Sequence, residues 1–274
     1  MEDLPLINII TRFSRTTSDL QVVLNSIREQ SYKNVRHIIC CETEEKLEEV
    51  KQLELLNNTL VIQVPKTPIV EGLVMINQHH DYYTDYLNFD YKKNNCNFLF
   101  ESTQDEIEDC SPRVKYDSIK FEKNGRWCMT LGETFPIASR HFPPNTYFNY
   151  THQHVDGGWV YYIDDGDKFE DSEALMDLSK QIIEHDEDTL HVFKLMTRGR
   201  HHTIPRERIF RDYLSIGHPL MFGELCGSCI CFHSKYKNKS LWDEWRYGDY
   251  RFAKQLEKLV KRINFFDRII LHTP

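Results

Sequence analysis

The chain of 274 residues contains no apolar run approaching the ~20 residues needed to cross a bilayer. Its opening, Met1-Glu2-Asp3-Leu4-Pro5, lacks the basic and apolar regions of a secretory signal. Both absences point to a soluble, cytoplasmic protein without a transmembrane segment, with peripheral attachment to a membrane left open. Positive charge is also in short supply. With 34 Lys and Arg against 42 Asp and Glu, the formal charge is −8, which argues against a nucleic-acid partner. There are only 11 glycines, and they form neither a GxGxxG nor a Walker-type loop to cradle phosphate on backbone N–H groups. Eight cysteines without an export signal read mostly as reduced thiols. Cys226-x-x-Cys229-x-Cys231-x-His233 has the spacing of a zinc knuckle, but the remaining cysteines offer no second one. Small core residues are therefore the better reading. The sequons at Asn57, Asn149 and Asn238 carry no meaning in a chain that stays out of the secretory pathway.

What the sequence does contain is an apolar strand that runs straight into carboxylates, from Gly157 to Asp167. Val160, Tyr161, Tyr162 and Ile163 are uncharged strand formers, the pattern of a strand buried on both faces. Such a strand delivers Asp164, Asp165 and Asp167 to the carboxyl edge of a sheet, where open α/β folds bind ligands. Like charges this close repel unless a cation sits among them. Oxygen ligands on a short turn suit Mn²⁺ or Mg²⁺, with phosphate and water completing the shell. A phosphate held through such a metal replaces the missing glycine loop.

In order, residues 6–11 read as a strand. Ser18 or Thr17 is expected to cap a helix beginning at Asp19, with Leu20, Val23, Leu24 and Ile27 on one face. Residues 35–41 read as a second strand ending at Glu42, 43–56 as a second helix, and 59–64 as a third strand stopped by Pro65. This alternation predicts one α/β domain with a mostly parallel central sheet flanked by helices. Residues 66–145 break the pattern and form an inserted, hairpin-containing region, with the turn at Asn124-Gly125. Beyond the carboxylates lie a helix at 173–183 and a strand at 189–196. A basic run at 197–211 reads as a solvated loop, with a diphosphate clamp the less favoured role. A glycine-bearing loop at 217–223 would let a ligand approach the backbone closely. A helix opening near Asp249 is expected to run through Ile263, and 268–272 form a last strand.

Four segments together resemble GT-A-fold glycosyltransferases, most closely the large inverting family numbered 2. They are Ile7-Asn8-Ile9-Ile10-Thr11-Arg12, the stretch from Leu24 to Tyr32 with its Ser-Ile-x-x-Gln-Ser-Tyr turn, His37-Ile38-Ile39, and Tyr162-Ile163-Asp164-Asp165-Gly166-Asp167. The resemblance covers 6–64 and 150–196, is looser over 217–260, and is absent from 66–145. It implies a single GT-A-like domain over 1–274. A nucleotide-binding half would span about 1–64 plus 146–196, an insertion about 66–145, and an acceptor-side half about 197–274. It also implies a nucleotide-sugar donor, UDP-sugar being favoured, with Asp165 and Asp167 in the place of the family's DxD motif on Mn²⁺ or Mg²⁺. Thr11 and Arg12 would line the base and ribose. Asp164 and Gly223 would complete the nucleotide-sugar contacts with Glu42, which stands where the family usually has Asp. Asp249 resembles the late acidic general base, with Glu244, Asp243 and Glu224 as rivals, and His272 stands where some GT-A enzymes place a metal-binding histidine. The acceptor would be a hydroxyl of a glycan, a lipid-linked sugar or a protein. A sugar-phosphate nucleotidyltransferase is the first alternative, although Arg12-Phe13-Ser14-Arg15 lacks the glycines such an enzyme uses. A non-catalytic carbohydrate-binding protein is the second.

Overall fold

A computed structural model describes residues 4–65, 73–77, 120–122, 126–128, 136–140, 143–197, 202–216, 220, 225–242 and 248–274. Strand and helix alternate at the start: β1 (Ile7–Phe13), α1 (Thr17–Arg28), β2 (Val35–Cys41), α2 (Glu44–Lys51) and β3 (Thr59–Gln63). Helix α1 begins two residues earlier than expected because Thr16 caps it. The Thr16 hydroxyl accepts from Asp19 N–H while the Asp19 carboxylate takes Thr16 N–H, a reciprocal capping box. Helix α2 stops at Lys51, short of the expected 56, and Leu53 N–H turns back to Val50 O. Within 66–145, β4 (Leu73–Asn77) pairs with β7 (Pro136–Arg140), and β5 (Lys120–Glu122) pairs with β6 (Arg126–Cys128). That second pairing matches the expected hairpin; its turn lies outside the described residues.

The remainder runs α3 (Tyr147–Thr151), β8 (Trp159–Asp164), β9 (Lys168–Phe169), α4 (Ala174–Glu184), β10 (Thr189–Thr197), β11 (His202–Ile204), α5 (Glu207–Ile216), β12 (Ile230–His233), α6 (Gly248–Leu259) and β13 (Arg262–Thr273). The basic run at 197–211 is therefore not simply a loop. Its described part forms an edge strand on β10 and opens α5, whose Phe210 is buried. Likewise α6 ends at Leu259, and Ile263 belongs to β13, where it pairs with Leu190.

One nine-stranded sheet has the order β3-β2-β1-β8-β12-β10-β13-β9, with β11 beside β10. β1, β2, β3 and β8 are parallel, as are β10 and β13, whereas β12 and β9 run against their neighbours. From β1 the chain builds β2 and β3 on one side and later returns to place β8 on the other. The carboxyl ends of β1 and β8 thus form a topological switch point, where such sheets open a crevice. Local chemistry sets the β1–β8 register. Asn8 Nδ2 donates to the carbonyls of Gly157 (2.8 Å) and Trp159 (3.0 Å). Gly158 has φ +74°, and a Cβ there would sit 2.4 Å from Leu6 O, so only glycine allows this approach.

The Ser-Ile-x-x-Gln-Ser-Tyr turn explains itself in the fold. Ser26 Oγ accepts from Phe169 N–H (2.6 Å), Gln30 Nε2 donates to Asp171 O (2.7 Å), and Gln30 Oε1 accepts Leu175 N–H (3.0 Å) in the first turn of α4. These bonds tie α1 to the segment leaving the carboxylate turn. Leu20, Val23, Leu24 and Ile27 of α1 are buried in the core, each contributing about 1.5–3 kcal/mol.

Three buried histidines make the fold acid-sensitive. Burial pushes the pKa of His37 and His191 down to about 3 and that of His152 to about 4. Each has one ring nitrogen bonded, to Thr11, Asn264 and Tyr162 respectively. The other nitrogen has no partner among the described residues, so a second N–H would be stranded. Unfolded histidine takes its proton near 6.5 and the folded ones do not, so stability is intact above that pH and falls as pH drops toward 4. The expected slope is up to about 1.4 kcal/mol per pH unit for each histidine. Thermal melts between pH 7.5 and 4.5 check this, and a flat melting temperature contradicts it.

Candidate active site

At the end of β8 the chain reverses in a tight turn. Asp167 N–H donates to Asp164 O (3.2 Å), Asp164 N–H donates to Asp167 Oδ2 (3.0 Å), and Gly166 takes φ +89° against Arg15 and Pro274. Asp167 is 3% exposed. Burial first, and then the Asp164 charge, raise its carboxyl well above the usual range. Asp164 pairs with Arg12 (3.1 Å), which is opposite it in the β1–β8 register. The Arg12 guanidinium also lies 5.7 Å from the centre of the Phe148 ring in α3.

Asp165, between them, does something else. It is 1% exposed and accepts from Ser14 N–H (2.7 Å) and Arg15 N–H, with Ser14 Oγ (3.3 Å) and the Arg15 side chain beside it. Burial raises this carboxyl and the two backbone bonds partly offset the rise. Its role is to pin the β1–α1 loop, and with it Arg12 and Arg15, to the carboxylate turn. Asp165→Ala should cost about 1–3 kcal/mol by leaving the part-buried N–H groups of Ser14 and Arg15 without their acceptor. Asp164→Ala, whose side chain is 43% exposed, should cost under about 1 kcal/mol. Urea denaturation of the two variants provides the comparison.

A cleft of about 530 Å³ opens over the turn. Its lining includes Arg12, Arg15, Asp164 and Asp167 together with Ser228, Trp242 and Asp249. Asp249 stands in the first turn of α6, and its Oδ1 accepts Tyr250 N–H (2.8 Å). Trp242 is held by stacking on Phe252 at 4.8 Å and by the edge of Tyr162.

No protein-family model matches this sequence, and no curated protein matches it significantly. Similarity to solved structures is clear. Residues 1–349 of S. aureus TarS match with a TM-score of 0.53 and 14% identity, over 98% of this chain and 60% of that one. TarS 1–349 in complex with UDP-GlcNAc matches at 0.52 and 14%, over 98% and 58%. The mannosyltransferase PcManGT from Pyrobaculum calidifontis, in complex with GDP-Man and Mn²⁺, matches at 0.52 and 11%, over 99% and 57%. The fold is GT-A-like. This chain spans less than two thirds of the length of those structures.

In the GT-A-like cleft the expected site residues divide. Arg12, Asp164, Asp167 and Asp249 line it together. Thr11 does not: it is fully buried inside the sheet and bonded to His37 Nε2 (2.9 Å), because its side chain points to the face of β1 opposite to Arg12's. Asp165 faces the loop backbone, as described. His272 pairs with Glu170 across β13 and β9 instead of lining the cleft. Glu42 lies just past β2 and is not on the cleft wall. Gly223, Glu224, Asp243 and Glu244 lie outside the described residues. Sequence reasoning missed Arg15, whose only signal was its charge just after β1, and Phe148, for which the sequence carried none.

Among the described residues no three His, Cys, Asp or Glu converge on a metal position. Asp164 and Asp167 nonetheless fit a hard divalent ion: two carboxylates of one short turn, one of them buried without sufficient counter-charge, leaving the remaining coordination to phosphate and water. Among the described residues no helix is long and apolar enough to cross a membrane.

Proposed function

We propose that this chain transfers a sugar, with inversion, from a nucleoside-diphosphate sugar to an acceptor hydroxyl, with a UDP-sugar as the favoured donor. The observation that carries the reading is a single cleft at the sheet's switch point lined by both the Asp164–Asp167 turn and Asp249. The solved structures of similar fold support it, because they hold UDP-GlcNAc in one case and GDP-Man with Mn²⁺ in another.

In this reading Asp164 and Asp167 hold Mn²⁺ or Mg²⁺ beneath the diphosphate, while Arg12 and Arg15 flank it. The bound ion would supply the counter-charge that the leaving nucleoside diphosphate needs. Asp165 keeps the two arginines in register with the turn. Asp249 takes the proton of the acceptor hydroxyl as its oxygen attacks the anomeric carbon on the face opposite the leaving group. Trp242 and Phe148 make the walls apolar, which keeps water from competing for the donor.

Titration calorimetry with UDP and GDP, with and without Mn²⁺, tests the reading. Expected is binding of one nucleotide that strengthens at least tenfold with the metal, together with slow metal-dependent release of nucleoside diphosphate from the matching donor. A sugar-binding module would release none, and metal-independent binding would overturn the assignment of Asp164 and Asp167.

A further inference from the structure

The cysteines set aside as core residues form a pair on the cleft wall. Cys226 lines the cleft and is partly buried, while Cys229 is 0% exposed. Their sulfurs lie 3.2 Å apart across the 3₁₀ turn Gly227–Cys229. Cys229 N–H donates to Cys226 O (3.0 Å), closing the turn that brings both side chains together. The Cys229 thiol donates to Ile204 O (3.2 Å), which leaves the Cys226 S–H directed at the Cys229 sulfur. Gly227, between them, is pressed against Trp242: a Cβ there would be 2.6 Å from the indole Cη2, so the turn needs glycine at this position. Closing the sulfurs by a further ~1 Å reaches the ~2.05 Å bond length of a disulfide.

We propose that Cys226 and Cys229 are a redox-active dithiol, a modification site opening on the cleft, that closes to a disulfide by exchange with a low-molecular-weight disulfide. Cys226, the accessible member, attacks one sulfur of the small disulfide; its S–S bond breaks and one thiolate leaves. The buried Cys229 then attacks the Cys226 sulfur and expels the second small thiolate. The protein pair loses two electrons and two protons, and the small disulfide takes up both as two thiols. The Cys229 sulfur and then burial raise the Cys226 pKa, so the first step is slow at neutral pH. Cys231, two residues on in β12 and fully buried, stays out of the exchange. The dithiol stands independently of the sugar-transfer reading.

The test treats the full, reduced chain with oxidised glutathione in the absence of nucleotide, blocks remaining thiols with iodoacetamide, and maps peptides by mass. The wild-type chain should show a Cys226–Cys229 cross-link with the loss of two hydrogens, reversed by dithiothreitol. Cys229→Ser should retain a glutathione adduct on Cys226 that never resolves, and Cys226→Ser should leave Cys229 unmodified. Glutathione persisting on wild-type Cys226, a bond drawn to Cys231, or both thiols still open to iodoacetamide would each overturn the proposal. A second measurement needs no variant: phenylarsenic(III) oxide, which bridges two thiols, should protect Cys226 and Cys229 together from alkylation. Loss of neither thiol's reactivity would count against the pair equally.

Discussion

Asp249→Asn should reduce turnover by roughly the 10²–10⁴-fold that a positioned general base supplies, and leave donor affinity unchanged. The substitution is nearly isosteric, and the Asn carbonyl still accepts Tyr250 N–H, so that bond in the first turn of α6 is kept. What disappears is the ability to hold a proton. The loss should therefore appear in kcat with either acceptor concentration, while calorimetric binding of the nucleotide stays as in the wild type. Near-normal turnover would move the base to Glu244, Asp243 or Glu224. A loss of nucleotide affinity instead would place Asp249 on the donor side of the cleft.

Asp167→Asn should remove Mn²⁺-dependent nucleotide binding, by more than the roughly 10–100-fold seen when a residue merely supporting a metal ligand is lost. The opposite sign is expected for the metal-free fold. Asp167 is a buried carboxylate whose pKa burial and the Asp164 charge have raised, so its charge opposes folding at neutral pH. Asparagine removes that charge and can still accept Asp164 N–H. The metal-free variant should therefore melt at the same temperature as the wild type or higher, and the Mn²⁺-induced shift should vanish. A variant that melts lower without metal and retains the Mn²⁺ shift would make Asp167 a structural residue only.

Substitutions at 164, 165 and 167 together separate the roles of three neighbouring carboxylates that no spacing rule distinguishes. Aspartates at 164, 165 and 167 look equivalent in a linear reading, and the DxD resemblance selected Asp165 with Asp167. In the structure Asp165 turns to the N–H groups of Ser14 and Arg15, 151 and 150 residues away in sequence, while Asp164 and Asp167 line the cleft. No local pattern carries that information. The same holds for Thr11 and Arg12, neighbours in the chain that alternate to opposite faces of β1, one into the core and one onto the cleft. The partner of His272, Glu170, comes from the residue just after β9, far away in sequence. The cysteine motif reads in the sequence as small core residues, and the sulfur contact within it depends on a 3₁₀ turn wedged under Trp242.

Sequence by itself determined the β-α-β-α-β opening, the buried strand Trp159–Asp164 and the arrival of carboxylates at its carboxyl end. These follow from hydrophobic periodicity, caps and charge, which act within a few residues. Tertiary structure alone decided which carboxylates face the cleft, which arginines stand opposite them and which thiols meet. Those outcomes depend on backbone N–H groups and ring edges delivered from distant strands, and a buried polar side chain turns toward whichever partner satisfies it.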